Sequence, residues 1–376
     1  MLKVVTILGT RPEIIKLSET IKVLDKYTNH ILVHTGQNYD FELSEAFFEG
    51  LELRPPDYYL DVAEDNVGVT IGNIISKSYT LLDELKPNAV LLYGDTNSCL
   101  SAISAKRLKI PVFHLEAGNR SFDENVPEEI NRRIVDHISD VNFTLTEHAR
   151  RYLLSEGIRG DRVIKTGGFM NEIINEHAQK IAQSKVLDTL DLHSSEYFIA
   201  SIHREENVDS QDKLKRIISC FKRIIKEFKF KIIFSCHPRT LARLKQFAIS
   251  LPEGVVVTKP LPLFDYLWLQ KNSLCVISDS GTITEEADVL CIPAITPRES
   301  HERPEGFDAG VLVMTGFDPD LTVKSIKIQI ETYRSDAFRP KVSDYHTERP
   351  SLTVLKAILS YIDYINYNVW HKDRRI

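Results

Sequence analysis

Near its start the chain reads KVVTILGTRPE (residues 3–13), a largely β-branched apolar run followed by a glycine turn and a helix start. Thr10 with Glu13 three residues later predicts a capping box, and Pro12 is tolerated in a first helical turn. A strand that passes into a helix through so short a turn is typical of parallel α/β sheets. In such sheets, ligands bind beyond the carboxyl ends of the strands.

The same strand-then-helix order recurs along the whole chain. Predicted strands of the first half are Lys3–Leu8, Ile31–His34, Ala89–Tyr93, Val112–Leu115, Val141–Leu145 and Val163–Thr166. After a polar helical stretch around Glu172–Asp191, they are Tyr197–Ile202, Lys231–Cys236, Val255–Thr258, Leu274–Ile277 and Ala294–Thr296. We expect an α/β protein with two Rossmann-like, doubly wound domains, residues 1–170 and 171–350. A C-terminal helix within 351–376 should pack back on the first domain, and the active site should lie in the interdomain cleft.

Composition limits the classes of function. The chain has 376 residues and a formal net charge of -6, which argues against general nucleic-acid binding. Its five cysteines form no C-x-x-C pair, and its first apolar run is too short for a signal peptide or a membrane span. We therefore expect a cytoplasmic protein with reduced thiols and no membrane partner.

Charged residues follow several predicted strands directly. Asp95 and Glu116 do so in the first half, and His203 does so in the second. Carboxylates crowded into a cleft have their pKa values pushed apart, as acid/base catalysis requires. Arg11 and Lys16, near a helix N-terminus, favour a phosphate or an oxyanion, although both could equally be solvated surface cations.

Two further segments carry candidate chemistry. Ser280-Gly281-Thr282 precedes a helix-like run, where backbone N–H groups could hold a diphosphate, or where the turn could simply cap the helix. In Pro127–Arg133 we expect Glu128–Arg132 and Glu129–Arg133 pairs beside a buried stripe of Ile130, Ile134 and Ile138. Such pairs contribute only a few tenths of a kcal/mol, so for an isolated helix a structural role is favoured.

Taken in order, these motifs resemble the non-hydrolysing UDP-N-acetylglucosamine 2-epimerase family over nearly the whole chain. The residues that carry the resemblance are Gly9–Lys16, Gly94–Thr96, Glu116–Gly118, Pro127–Arg132, Ser280–Thr282 with Glu286, and Glu302–Glu305. The resemblance implies the GT-B arrangement, with UDP held mainly by the second domain and the sugar facing the first. It implies a homodimer that uses a UDP-sugar and UDP, with no cofactor and no metal.

The resemblance also implies roles for individual residues. Asp95, Glu116 and Glu128 would be the acid/base groups, supported by Arg132 and His203. The substrate-binding residues would be Arg11, Lys16, Asn119, Tyr266, Ser280, Gly281, Thr282, Glu286 and Arg303, with Tyr266 stacked on uracil. Leu261 stands near a position where some members carry a Gln.

One segment departs from the commonest family pattern. Asn119–Val126 intervenes between the Glu-Ala-Gly motif and Pro127 and, with Ile134–Asp140 and His203–Asn207, resembles the UDP-N-acetyl-L-fucosamine synthase branch. That branch epimerises C2 of UDP-2-acetamido-2,6-dideoxy-L-talose for capsule or O-antigen, and Phe122 would suit a 6-deoxy methyl group or could be a core residue. The alternatives are a UDP-N-acetylglucosamine 2-epimerase that forms UDP-N-acetylmannosamine, a GT-B glycosyltransferase, and a non-catalytic UDP-sugar sensor.

Overall fold

The computed structural model describes residues 1–37, 48–334 and 339–372. The chain divides into two compact units, one formed by Met1–Ile173 with Asp344–Ile376 and the other by Ile174–Ser343. Each unit contains one parallel sheet, so the prediction of two α/β domains is confirmed.

The first sheet has seven strands in the order β3-β2-β1-β4-β5-β6-β7. They are β1 (Lys3–Leu8), β2 (Asn29–His34), β3 (Tyr58–Tyr59), β4 (Ala89–Tyr93), β5 (Val112–Leu115), β6 (Val141–Thr144) and β7 (Val163–Lys165). All their pairings are parallel. The strand order changes direction between β1 and β4, and such a switch point opens a crevice at the carboxyl ends of the strands.

Helices cover this sheet. They are Arg11–Tyr27, Val67–Leu85, Ala102–Arg107, Pro127–Ile138, Glu147–Ser155, Met170–Glu176 and Pro350–Asn368. The Pro350–Asn368 helix packs against Arg11–Tyr27. The buried Glu172 carboxylate accepts hydrogen bonds from the Ser351 backbone N–H (3.2 Å) and hydroxyl (2.5 Å), which anchors the start of that helix.

The second sheet has six strands in the order β10-β9-β8-β11-β12-β13. They are β8 (Tyr197–Ser201), β9 (Lys231–Ser235), β10 (Val255–Thr258), β11 (Cys275–Ser278), β12 (Ala294–Thr296) and β13 (Val313–Met314). The order reverses between β8 and β11. The helices of this unit are Ala178–Ala182, Val186–Thr189, Glu205–Val208, Gln211–Phe228, Pro238–Gln246, Leu263–Asn272, Ile283–Leu290, Pro304–Asp308 and Pro319–Arg334.

The hydrophobic pattern located the main strands but missed two. β3 and β13 are two-residue strands at sheet edges, too short to produce a periodic signal. The polar stretch predicted as one helical region is divided into Met170–Glu176, Ala178–Ala182 and Val186–Thr189. None of the helices in the described ranges is long and apolar enough to cross a membrane.

Candidate functional site

The candidate residues of the first unit lie at the carboxyl ends of three adjacent strands. Arg11 follows β1, Asp95 follows β4 and Glu116 follows β5, around the switch point of the sheet. These three residues are spread over about a hundred positions of the sequence, and the topology of the sheet brings them to one edge.

Glu13 connects the loops that follow β1 and β4. Its carboxylate accepts hydrogen bonds from the backbone N–H groups of Gly9 (2.5 Å) and Thr10 (2.8 Å). It also accepts from the hydroxyls of Thr96 and Ser98, each at 2.6 Å. Burial raises the pKa of Glu13, while these four donors oppose that rise. The predicted capping residue thus also holds the Asp95 loop against the first turn of the helix.

Arg132 joins two carboxylates. Its Nε and Nη2 lie 3.1 and 2.7 Å from Oδ2 of Asp95, and its Nη1 lies 3.0 Å from Oε2 of Glu129. Glu129 is fully buried; burial alone would raise its pKa, but hydrogen bonds from Ser121 and the charge of Arg132 hold that pKa below its usual value. The two hydrogen bonds from Arg132 orient the Asp95 carboxylate.

The Pro127–Ile138 helix buries a polar face, and the predicted buried isoleucine stripe is wrong. Ile130 is 54% exposed and Ile134 is 39% exposed, whereas Glu129, Arg132 and Asp136 are buried. The reason is that the helix packs its charged side against strand-end groups that supply ionic and hydrogen-bonding partners. Glu128 lies in the first turn of this helix and is partly buried.

Glu116 has an unusual backbone conformation. Its φ is 61°, in the left-handed region that few non-glycine residues occupy and that clusters at functional sites. Its carboxylate accepts hydrogen bonds from the Tyr93 hydroxyl and from Asn119 Nδ2 (3.3 Å). Tyr93 and Glu129 were not predicted as site residues, although the position of Tyr93 at the last residue of β4 was an available signal.

The surroundings of Gly118 explain why the Glu-Ala-Gly motif ends in glycine. Its φ is 84°, and a Cβ added there would lie 2.4 Å from the carbonyl oxygen of Ala149. Only glycine allows the loop after Glu116 to pass so close to the Glu147–Ser155 helix.

The two predicted cations of the first helix differ in burial. Lys16 is only 2% exposed, so its interpretation as a solvated surface cation is wrong. Arg11 is the first residue of the helix and is partly buried. A buried ammonium requires compensating partners, which distinguishes Lys16 from an ordinary surface lysine.

In the second unit, Asp279 joins the loops that follow β8 and β11. It is fully buried and accepts hydrogen bonds from the backbone N–H groups of His203 (3.0 Å) and Arg204 (3.0 Å) and from Asn207 Nδ2 (2.9 Å). Loss of solvation lowers the pKa of His203, and the charge of Asp279 opposes that shift. Asp279, which was not among the predicted site residues, therefore holds together the predicted His203 and Ser280–Thr282 segments.

Charged side chains flank the Ser280–Thr282 turn. A Cβ added at Gly281 would lie 3.3 Å from Arg204 Nη2 and 3.5 Å from Glu302 Oε2. The hydroxyls of Ser280 and Thr282 are 3.0 Å apart. The turn precedes the Ile283–Leu290 helix, so its backbone lies at a helix N-terminus, which favours anions.

The remaining predicted residues of the second unit lie on or beside that helix. Gln270 donates from Nε2 to Oε2 of the buried Glu286 (2.7 Å), and Tyr266 lies beside both. Burial and then the negative charge of Glu286 raise the pKa of Tyr266. Arg303 is buried, with Nη1 3.5 Å from Oε1 of Glu285. Within the part of the chain that the structure describes, no group of three His, Cys, Asp or Glu residues is arranged to hold a metal ion.

Known proteins share this fold over the full length of the chain. The structure of UDP-N-acetylglucosamine 2-epimerase from Rickettsia bellii is 50% identical, with a TM-score of 0.91, and the match covers 99% of this chain and 100% of that one. The structure of the Methanocaldococcus jannaschii UDP-GlcNAc 2-epimerase in complex with UDP-GlcNAc and UDP is 35% identical, with a TM-score of 0.86, and the match covers 96% of this chain and 100% of that one.

A further relative acts on a different sugar. The UDP-2,3-diacetamido-2,3-dideoxy-D-glucuronate 2-epimerase of Pseudomonas aeruginosa is 33% identical over 334 residues, 88% of this chain and 92% of its own. The model of the UDP-N-acetylglucosamine 2-epimerase family matches residues 22–359. This chain therefore belongs to the UDP-N-acetylglucosamine 2-epimerase family and is an isomerase, a UDP-sugar 2-epimerase.

Proposed function

We propose that this 2-epimerase converts UDP-2-acetamido-2,6-dideoxy-L-talose into UDP-N-acetyl-L-fucosamine. The observation that carries the substrate assignment is the Asn119–Val126 segment, which departs from the commonest family pattern and resembles the 6-deoxy-sugar branch. The His203–Asn207 loop adds to the same resemblance.

The chemistry explains the residue types. The hydrogen on C2 of the sugar is not next to a carbonyl, so its direct removal as a proton is very unfavourable. Loss of UDP from C1 develops positive charge beside C2 and acidifies that hydrogen, giving a 2-acetamidoglycal and UDP. Re-addition of UDP, with a proton delivered to the opposite face of C2, inverts that centre. Such a reaction needs acid/base groups for both faces and cations that retain UDP.

We assign the acid/base work to Asp95, Glu116 and Glu128. The geometry supports the assignment of Asp95 and Glu116, because Asp95 is held by Arg132 and Glu116 is held by Tyr93 at the ends of neighbouring strands. Each of these two carboxylates thereby has a different set of donors, an arrangement that suits two groups with different acid/base tasks.

We assign UDP binding mainly to the second unit. The Ser280–Thr282 turn would hold the diphosphate, Glu286 would accept from ribose hydroxyls, and Tyr266 would stack on uracil. Support comes from the placement of the turn at a helix N-terminus and from the burial of Glu286 and Arg303 beside it. Arg11, Lys16 and Asn119 of the first unit, with His203, would complete the binding of substrate.

If Arg303 contacts the diphosphate, the substitution Arg303→Met weakens UDP binding by about 10- to 100-fold, because a hydrogen bond to a charged group contributes about 1.5–3 kcal/mol. Isothermal titration calorimetry with UDP measures the change, with a thermal melt to verify folding. Arg334→Met, which removes an exposed arginine of the same unit, is the matched control and leaves affinity unchanged. A folded Arg303→Met variant with unchanged affinity would show that Arg303 serves its ion pairs with Glu285 and Glu305 and not the nucleotide.

Phe122 offers a basis for sugar selection. It is 65% exposed at a φ of 54°, and its ring packs edge-on against Tyr152 with 5.3 Å between centroids. An exposed aromatic residue held in a strained conformation fits a contact surface for a C6 methyl group. A hydroxyl forced against such a surface without a partner costs on the order of 1–3 kcal/mol.

The second candidate substrate is UDP-N-acetylglucosamine, with UDP-N-acetylmannosamine as product. It is favoured by the names of relatives such as the Rickettsia bellii protein. The Pseudomonas aeruginosa relative is named for another 2-acetamido sugar, so members of the family differ from one another in the sugar for which they are named. Family membership as a 2-epimerase argues against the glycosyltransferase and sensor alternatives.

Incubation with each UDP-sugar in deuterated water decides between the two substrates. We expect deuterium to enter C2 of the 6-deoxy-talosamine nucleotide about 10- to 200-fold faster, in kcat/KM, than C2 of UDP-N-acetylglucosamine. Phe122→Ser should reduce this ratio, whereas Phe122→Leu should largely keep it. Equal or faster exchange into UDP-N-acetylglucosamine would overturn the assignment and establish the second candidate.

The proposed product is a precursor sugar for capsule or O-antigen polysaccharide. We further propose that the enzyme is a cytoplasmic homodimer, as the family resemblance implies. Size-exclusion chromatography with light scattering tests the dimer.

A further inference from the structure

A network of four charged side chains, three of them buried, lies next to the Asp95 and Glu116 loops. His114 and Asp136 are within 3.0 Å of each other, Nδ1 to Oδ1. Arg120 bridges Asp136 (2.7 Å) and Glu156 (2.7 Å). The side chains of His114, Arg120 and Asp136 are at most 1% exposed. None of these residues is among the acid/base or nucleotide-binding groups assigned above.

The network reaches the backbone of both loops. Nε2 of His114 lies 2.7 Å from the carbonyl oxygen of Gly94, the residue before Asp95. On the other side, Oδ2 of Asp136 accepts from the backbone N–H of Gly118, two residues after Glu116, at 3.2 Å. One buried aspartate and one histidine therefore connect the turn before Asp95 to the turn after Glu116.

The partners of His114 define its protonation. A carbonyl oxygen only accepts, so Nε2 must carry a proton to bond Gly94. A carboxylate also only accepts, and it stands beside Nδ1. The negative charge of Asp136, 3.0 Å from Nδ1, raises the pKa of His114 and so favours the cationic ring with both nitrogens protonated. In that state the cations His114 and Arg120 face the carboxylates of Asp136 and Glu156.

We propose that His114 and Asp136 act as a positioning pair that sets the spacing between the Asp95 and Glu116 loops. The inference rests on the proposed roles of those two carboxylates. Neither His114 nor Asp136 needs to touch the sugar. A displacement of a catalytic group by about 1 Å can lower the rate by about 10²-fold. Loss of the pair should therefore reduce turnover strongly even though neither residue contacts the sugar.

The charge of His114 links this spacing to pH. Asp136 and Asp95 face the ring, Arg120 lies beyond Asp136, and the buried Cys99 thiol is influenced by both aspartates and by Glu13. Burial acts to lower the pKa of His114, but pairing with Asp136 and the bond to Gly94 outweigh it, so that this pKa is raised above 6.5. The contribution of the protonated ring to the loop spacing is complete below about pH 6.5, and it is lost as pH rises through the raised pKa of His114. Turnover should therefore fall on the alkaline side.

The test compares His114→Gln with the wild-type enzyme. A Gln amide can still donate to the Gly94 carbonyl but carries no charge. We expect kcat for deuterium incorporation at C2 to fall about 10- to 100-fold. We also expect KM and the Kd for UDP to stay within about twofold, and the alkaline decline of kcat to disappear. His137→Gln is the matched control, since His137 is an exposed histidine that pairs with Glu156 and contacts neither loop backbone through Asp136, and it should keep both kcat and the pH profile.

A direct measurement keeps the proposal testable if His114→Gln does not fold. NMR of the wild-type imidazole groups should show one buried ring with both nitrogens protonated at pH 7. A neutral His114 ring at pH 7 would overturn the proposal. So would a folded His114→Gln variant whose kcat is unchanged, or whose kcat declines at the same alkaline pH as in the wild type. The proposed roles of Asp95 and Glu116 can fail independently of this proposal. That failure would appear as unimpaired turnover in the Asp95 and Glu116 amide variants, together with an NMR spectrum that still shows the doubly protonated His114 ring.

Discussion

Replacement of Asp95, Glu116 or Glu128 by the corresponding amide lowers turnover by about 10²-fold or more and leaves UDP affinity largely unchanged. The amide keeps the shape of the side chain but can neither remove nor deliver the C2 proton. UDP affinity is kept because the residues assigned to the nucleotide lie mainly in the other unit. Deuterium incorporation at C2 gives turnover, and calorimetry gives UDP affinity.

The matched control for this series is Glu124→Gln. Glu124 lies in the loop just before the helix that carries Glu128. Its side chain is 79% exposed and forms an ion pair with Arg133 at 3.6 Å. It should behave as the wild type in both measurements. A parallel loss of UDP binding in the three amide variants would show that these carboxylates serve structure, because an acid/base role leaves nucleotide binding intact.

The second large effect concerns stability. Arg120→Met lowers the free energy of unfolding by about 3–5 kcal/mol, because removal of one partner from a buried ion pair leaves the other charge insufficiently compensated. The charge left behind is Asp136, which is buried, loses the guanidinium at 2.7 Å and keeps His114 as its remaining cationic partner. Urea denaturation followed by circular dichroism measures the change.

Arg151→Met tests whether burial is the cause. Arg151 lies on the Glu147–Ser155 helix and pairs with Glu147 at 3.7 Å, with both side chains largely exposed. Loss of that pair should change stability by only a few tenths of a kcal/mol. Similar losses for the two variants would mean that the Arg120 network contributes no more than a surface pair.

Local sequence signals were strong where a strand ends and a helix begins. The run before Gly9 and the pattern around Ser280–Thr282 predicted both strands and the helices that follow them. Such junctions carry several independent signals within a few residues, namely β-branched runs, turn glycines and capping side chains. The position of a charged residue just after a strand was therefore informative for Asp95, Glu116 and His203.

Side-chain partners were not predictable in the same way. The Pro127–Ile138 helix has isoleucines at helical spacing, a pattern that normally indicates a buried stripe. The helix nevertheless turns Glu129, Arg132 and Asp136 inward, because Asp95, Ser121 and Arg120 supply partners for them. Those partners lie outside the helix, between 8 and 37 residues away in the chain, and periodicity within one helix contains no information about them.

The sequence by itself determined two α/β units, the loops that carry the candidate chemistry and the family to which they belong. These properties follow from local runs and from motifs in a fixed order. Only the tertiary structure decided that Glu13 joins two loops, that Lys16 is buried and that His114 reaches Gly94. The physical reason is that the stability and charge of a buried polar group depend on partners brought to it by sheet topology, and topology joins residues that the sequence separates.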